Sequence, residues 1–194
     1  MRLQTLLFAW VIAAPTAFAA QAIQDPNLTA TPTGQGGGEI YAWTPMLDRI
    51  PMNAPYMSFH VQKGGDSGAV EPTIVLNVKT TAPLDRRCAT SAIEIGGNAI
   101  SPARSSTVTA RLPQAGVLEI RSKTVSLDTL RAIVEPGDVE YVICGMRSKI
   151  SSQEREGLKK VIGLFDGTLR LSDEFDHPLM RRFAPPRSPG GATP

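Results

Sequence analysis

The sequence predicts an α+β fold in which two short helices pack on a mainly antiparallel sheet. Several segments alternate in polarity or are rich in β-branched residues, which is typical of strands. Two others repeat apolar residues at intervals of three and four, which is typical of amphipathic helices. The strand segments cluster along the chain instead of alternating one by one with helices, and this order favours antiparallel pairing. A β-sandwich with helical decorations is the alternative.

Residues 1–19 have the pattern of a secretory signal peptide. Arg2 precedes an apolar run over residues 6–14, and the following Ala-Phe-Ala offers the small residues that signal peptidase recognises. Cleavage is therefore expected near Ala19 and Ala20. The apolar run is shorter than the roughly 20 residues that a membrane-spanning helix needs. We expect a periplasmic or secreted protein with no integral membrane segment.

The remaining chain divides by composition. Residues 20–38 are rich in Pro, Thr, Gly and Gln, which predicts a disordered leader. Residues 39–177 contain the apolar segments of a single domain, and residues 178–194 form a Pro- and Arg-rich tail that we expect to be disordered. At the start of the domain, residues 40–55 include three prolines. They predict an ordered coil or a short edge strand, anchored on the core by Trp43.

Strands are expected over residues 56–62, 73–79, 92–95, 107–112 and 116–122. The last two flank Pro113, which cannot donate a hydrogen bond to a ladder and therefore suits the turn of a hairpin. Residues 139–146 are nearly continuously apolar and predict a central strand. Residues 168–171 predict a final short strand or a coil.

Two helices are predicted from their caps and apolar stripes. Ser126 is suited to cap the first, which lies between the strands over 116–122 and 139–146. Ser151 and Glu154 have the spacing of a capping box, which marks the start of the second. That helix contains Gly157 and Gly163, each of which costs about 1 kcal/mol relative to alanine. We expect these small residues to permit close packing on the sheet.

Cys88 and Cys144 are the only cysteines of the chain. An exported protein with two cysteines is expected to join them in one disulfide bond. The bond would close a loop of 57 residues. The alternative is two reduced thiols, one of them catalytic. It is disfavoured because Cys144 follows an apolar run, where an inert sulfur is expected.

The charge balance excludes some classes of partner. The chain has 20 Lys and Arg residues against 18 Asp and Glu residues, a formal net charge of +2. That excess is too small to indicate binding to nucleic acid or to an anionic membrane. Neither a metal nor a cofactor is expected. The acidic segment 173–177 lacks the spacing of an EF-hand loop, and cysteines held in a disulfide leave too few zinc ligands.

Residues 65–68, Gly-Asp-Ser-Gly, match the tetrapeptide around the nucleophile of chymotrypsin-like serine proteases. Only His60 precedes Ser67, and the chain is too short for the two barrels of those enzymes, so we interpret the string as a turn. No catalytic residue is assigned. A small exported hydrolase that uses Ser67, His60 and either Asp66 or Asp85 is an alternative function.

Four residues are candidates for ligand binding. Arg86 and Arg87 lie next to a cysteine of the predicted disulfide, which would hold their exposed charge on a rigid support. Tyr56 and His60 lie on one side of a predicted strand, and His60 is expected to face solvent.

These observations predict an exported, non-catalytic binding or accessory protein of the bacterial cell envelope or exterior. Its partner is expected to be another envelope or secreted protein. An inhibitor or immunity-type protein, in which the turn at Arg86 and Arg87 enters the cleft of a partner, is a further alternative. No motif in the sequence specifies a reaction.

Overall fold

The computed structural model describes residues 20–33, 37–64, 68–82, 91–112 and 116–172. In these ranges the helices are α1 (Leu127–Val134), α2 (Ser152–Phe165) and a short 3₁₀ helix at Leu47–Arg49. The strands in chain order are β1 (Gln21–Ile23), β2 (Leu28–Pro32), β3 (Glu39–Trp43), β4 (Pro55–Lys63), β5 (Val70–Thr80), β6 (Ser91–Ile95), β7 (Asn98–Ala99), β8 (Arg104–Leu112), β9 (Gly116–Thr124), β10 (Val139–Ile143), β11 (Met146–Lys149) and β12 (Leu169–Leu171).

Most of the strands belong to two antiparallel sheets. The larger has six strands in the order β2-β3-β4-β5-β9-β8, and the smaller has four in the order β11-β10-β6-β7. β1 and β12 form a separate parallel pair. The predicted α+β fold, with mainly antiparallel sheet and two helices, is therefore confirmed. The hairpin predicted around residue 113 is the β8–β9 pair.

The core lies against one side of the six-stranded sheet, which we call the inner face. On β4 this face carries Met57, Phe59 and Val61, and all three are fully buried. Their partners on β5 include Leu76 and Ile74, which share the face because directly paired residues point the same way. α2 packs on β3 and β4, and apolar residues of the four-stranded sheet complete the core.

The segment predicted to be a disordered leader, residues 20–38, contains two strands instead. β2 pairs with β3, and Leu28 of β2 is buried in the core. Lys160 Nζ of α2 lies 2.7 Å from the carboxylate of Asp25, which also accepts a hydrogen bond of 2.9 Å from the backbone N–H of Asn27. The prediction was wrong because β2 carries few apolar residues as a sequence signal, while β1 and Asp25 have partners, β12 and Lys160, that lie far away in sequence.

Two other segments differ in detail from the prediction. Residues 40–55, predicted as coil or an edge strand, begin with β3, which lies between β2 and β4. Residues 139–146, predicted as one strand, divide into β10 and β11 at Cys144 and Gly145. Both residues have positive φ, 55° and 78°. Two consecutive residues of positive φ between antiparallel strands are typical of a type I′ hairpin turn.

Both predicted helix starts are confirmed. Ser126 Oγ accepts a hydrogen bond of 3.1 Å from the backbone N–H of Thr129, and Ser151 and Glu154 form the complete capping box. Arg155 of α2 donates hydrogen bonds to backbone carbonyls near the C-terminal end of α1, groups that a helix leaves without internal partners. No helix within the described ranges is long and apolar enough to cross a membrane.

The two glycines inside α2 permit the close packing predicted for them. A Cβ atom at Gly157 would lie only 2.2 Å from the ring of Trp43, and one at Gly163 only 2.6 Å from Leu169 Cδ1. Trp43 is 1% exposed and stacks at a tilt on Phe59, with ring centroids 6.2 Å apart. It is the packing anchor that the sequence predicts.

Candidate functional site

A polar groove of about 610 Å³ is lined by residues of both sheets. Strands β8 and β9 contribute one part of its lining, which includes Ser105, Thr107, Arg121 and Lys123. Strands β6, β10 and β11 contribute the other part, which includes Ser91, Glu94, Val142 and Arg147. Most of the lining residues therefore carry a hydroxyl or a charged group, on strands whose positions the two sheets fix.

The charged residues of β9 are turned towards the inner face of the six-stranded sheet. Glu119, Arg121 and Lys123 alternate along the strand and therefore share one face. They pair directly with the apolar residues of β5 that form the inner face. Each is less than one-tenth exposed. The groove is thus a polar region beside the apolar core, on the same side of the sheet.

Two of these three charges compensate each other. Arg121 Nη1 lies 3.6 Å from Glu119 Oε2. Thr109 Oγ1 donates a hydrogen bond of 2.8 Å to the same carboxylate, and Arg121 Nη1 donates one of 3.0 Å to the carbonyl of Ile120. A buried ion pair with additional hydrogen bonds avoids the cost of an isolated charge.

Lys123 has no such compensation. It is 7% exposed, and its Nζ atom has no hydrogen-bond or ion-pair partner in the described part of the chain. Burial lowers the pKa of Lys123 below its usual value of 10.5, because removal from water destabilises the ammonium form. Since Lys123 lines the groove, a bound ligand can supply the missing counter-charge.

Hydroxyl groups lie close to Lys123 and Arg121. Ser105 of β8 is paired directly with Lys123, and Thr107 is paired directly with Arg121. The Cβ atoms of such pairs are about 4.5–5.5 Å apart. A hydroxyl can donate a hydrogen bond to an anionic oxygen. The combination of an ammonium and neighbouring hydroxyls is suited to hold an anion.

Glu94, the acidic residue of the opposite wall, shares the cation of Arg147 with Glu140, its neighbour on β10. Arg147 Nη1 lies 2.6 Å from Glu140 Oε2 and 3.5 Å from Glu94 Oε2. The hydrogen bond from Arg147 lowers the pKa of Glu140. Because both carboxylates have a cationic partner, their repulsion of an anion in the groove is reduced.

The predicted site residues Tyr56 and His60 lie elsewhere. They are on the side of β4 opposite to Phe59 and Val61, and therefore on the opposite face of the sheet from Lys123. His60 is half-buried, contrary to the expectation that it faces solvent, and burial lowers its pKa. Tyr56 is buried, which raises its pKa. Neither side chain lines the groove.

Apart from Cys144, the other predicted site residues lie outside the described ranges. These are Arg86, Arg87 and Cys88, together with Ser67 of the alternative hydrolase. Cys144 is half-buried in the turn between β10 and β11. The pairing of the two cysteines and the approach of Ser67 to His60 therefore stay predictions.

No protein-family model matches this sequence, and comparisons with curated proteins and with solved structures find no match.

Proposed function

We propose that this protein is an exported, non-catalytic binding protein of the cell envelope or exterior, and that its groove binds an anionic group of a ligand or partner. The observation that carries the proposal is Lys123, a buried lysine without a partner among the described residues. Burial of most of this side chain without a counter-charge disfavours its ammonium form. Proteins keep a charge without a partner in such a place mainly where their function needs it.

Replacing Lys123 with methionine should weaken anion binding by at least about tenfold. Methionine keeps most of the apolar stem of lysine and removes its ammonium group. The anion needs this ammonium for binding, whereas burial makes the ammonium unfavourable in the unliganded protein. The same change should therefore raise the melting temperature of the unliganded protein. Isothermal titration calorimetry with inorganic phosphate, sulfate and succinate measures the binding, and thermal melts measure the stability.

Lys159→Met is the matched control, because Lys159 is an exposed lysine on α2 away from the groove. It should change neither the affinity for these anions nor the melting temperature by a comparable amount. A wild-type protein that binds none of the three anions would contradict the proposal. Equal affinities in wild type and Lys123→Met would contradict the assignment of the site.

Anion binding should also weaken as the pH rises through the lowered pKa of Lys123. The ammonium attracts the anion and the neutral amine does not, so affinity is high below that pKa and is lost above it. Because the pKa is lowered, the loss begins at a lower pH than an ordinary lysine would give. The arginines of the groove do not titrate in this range. Titrations of phosphate at increasing pH should show the loss in wild type and not in Lys123→Met.

The proposed export is supported by the signal-peptide pattern of residues 1–19 and by the cysteines. Cys144 is not a free cysteine, and Cys88 is the other cysteine of the chain, so we propose a disulfide between them. Thiol titration of the denatured, unreduced mature protein should find no reactive thiol. Two titratable thiols, or cytosolic protein that retains residues 1–19, would contradict export.

A further inference from the structure

β8 is an edge strand that is open to pairing. In the described part of the chain it pairs with β9 alone, at one end of the six-stranded sheet. Its residues are exposed except for partial burial at Ala110 and Leu112. β8 contains no proline or lysine and no residue of positive φ, features that protect edge strands in natural proteins. Its two charged residues, Arg104 and Arg111, lie near its ends, and the edge strand at the other end, β2, is shorter and ends in Pro32.

We propose that β8 pairs antiparallel with β8 of a second copy of this chain, about a two-fold axis at Val108. The six-stranded sheets of two molecules would then become one continuous sheet. Val108 is the middle residue of the nine-residue strand, so this register pairs every residue of β8. Val108 is also a large apolar side chain that is 50% exposed. The groove and its proposed ligand play no part in this inference.

The register brings compatible side chains together. Val108 would lie opposite Val108 of the second copy, and Thr107 opposite Thr109. Pairs of β-branched side chains and Thr–Thr pairs stabilise neighbouring strands. The remaining pair near the centre, Ser106 opposite Ala110, is small and has no charge. The Val108 and threonine pairs therefore stabilise the dimer, and the pair of Ser106 and Ala110 does not destabilise it.

The charged residues also fit the register. Arg104 would lie opposite Leu112, and Arg111 opposite Ser105, so no two arginines are paired directly. Like charges directly opposite each other would destabilise the pair. Because Ser105 lines the groove, Arg111 of the second copy would lie on the groove side of the joined sheet. It would lie two strands away from Lys123, about 10 Å, so the two cations are not in contact.

The test is the oligomeric state of the mature protein, measured by sedimentation velocity and light scattering across a concentration series up to the millimolar range. The wild type should be a dimer at the upper end. Val108→Asp places two carboxylates face to face at the axis and should raise the dissociation constant at least about tenfold. Val70→Asp is the control, since Val70 is a similarly exposed valine on β5, and it should leave the dimer intact.

A second variant tests the register and leaves Val108, the residue at the two-fold axis, unchanged. Ser106→Glu combined with Ala110→Lys would create two Glu–Lys pairs across the interface. Within one chain these positions lie about 13 Å apart along the strand and do not pair. The double variant should dimerise more tightly than either single variant. A wild type that is monomeric throughout, an open-ended assembly, or a double variant no tighter than the single variants would overturn the proposal.

Discussion

Replacing Gly157 with alanine is expected to lower the free energy of unfolding by about 3 kcal/mol, although alanine is the better helix former by about 1 kcal/mol. The new Cβ would lie 2.2 to 2.7 Å from three atoms of the Trp43 ring. Trp43 is buried and stacks on Phe59, so its ring has little room to move. Overpacking a rigid core costs about 1–3 kcal/mol and occasionally more. Urea denaturation of the wild type and the variant measures the difference.

Gly163→Ala is the control for this prediction, because it makes the same change in the same helix. Its Cβ would meet the side chain of Leu169, at 2.6 Å, in the three-residue strand β12. Leu169 is half-buried and its side chain is flexible, so we expect a smaller loss. Equal losses in the two variants, or no loss at Gly157, would contradict the role assigned to Trp43.

Much of the fold was predictable because its signals are local. The capping box of Ser151 and Glu154 depends on residues three positions apart, and the sequence predicts the β8–β9 hairpin from Pro113 and the alternation beside it. The strands β4 and β5 follow from their own composition. In each case the information lies within one element or its turn, which is where sequence patterns are most reliable.

The errors in the fold arose where the local signal is weak, where partners are distant or where a turn residue is unusual. β2 has few apolar residues although it pairs with the next strand, β3, and the contact between Asp25 and Lys160 of α2 is distant in sequence. The turn after β10 places Cys144 at positive φ, where glycine, asparagine and aspartate are normally found. A cysteine there gives no turn signal, so β10 and β11 read as one strand.

The candidate site was missed for a related reason. The alternation of Glu119, Arg121 and Lys123 along β9 would ordinarily indicate a face turned to solvent. That face is buried because β9 pairs with β5, whose neighbouring residues Val75 and Leu76 are buried on opposite faces. The apolar run in β5 is visible in the sequence and indicates a sheet covered on both sides. Which strand β9 pairs with is a long-range property, and the local sequence pattern of β9 does not contain it.

Replacing Glu154 with alanine is expected to lower the free energy of unfolding by about 3 kcal/mol. Glu154 is 5% exposed, and its carboxylate accepts hydrogen bonds from the backbone N–H of Met57 at 2.5 Å and of Ser151 at 2.7 Å. It also accepts one of 3.1 Å from the hydroxyl of Tyr141. One side chain therefore joins the start of α2 to β4 in the larger sheet and to β10 in the smaller one.

The expected loss of stability follows from the hydrogen-bond donors that lose their acceptor in the Glu154→Ala variant. Tyr141 can donate to the carbonyl of Pro55 instead, which lies 3.1 Å away. The N–H of Met57 is buried between strand and helix and would have no acceptor, at a cost of about 1–3 kcal/mol. Ser151 still caps the helix through the backbone N–H of residue 154, but its own N–H loses its acceptor, which adds about 1 kcal/mol. Glu154→Gln keeps one acceptor oxygen and should cost about half as much, whereas Glu156→Ala, at an exposed position of the same helix, should have little effect. If urea denaturation found Glu154→Ala as stable as Glu156→Ala, this carboxylate would not hold the two sheets and α2 together.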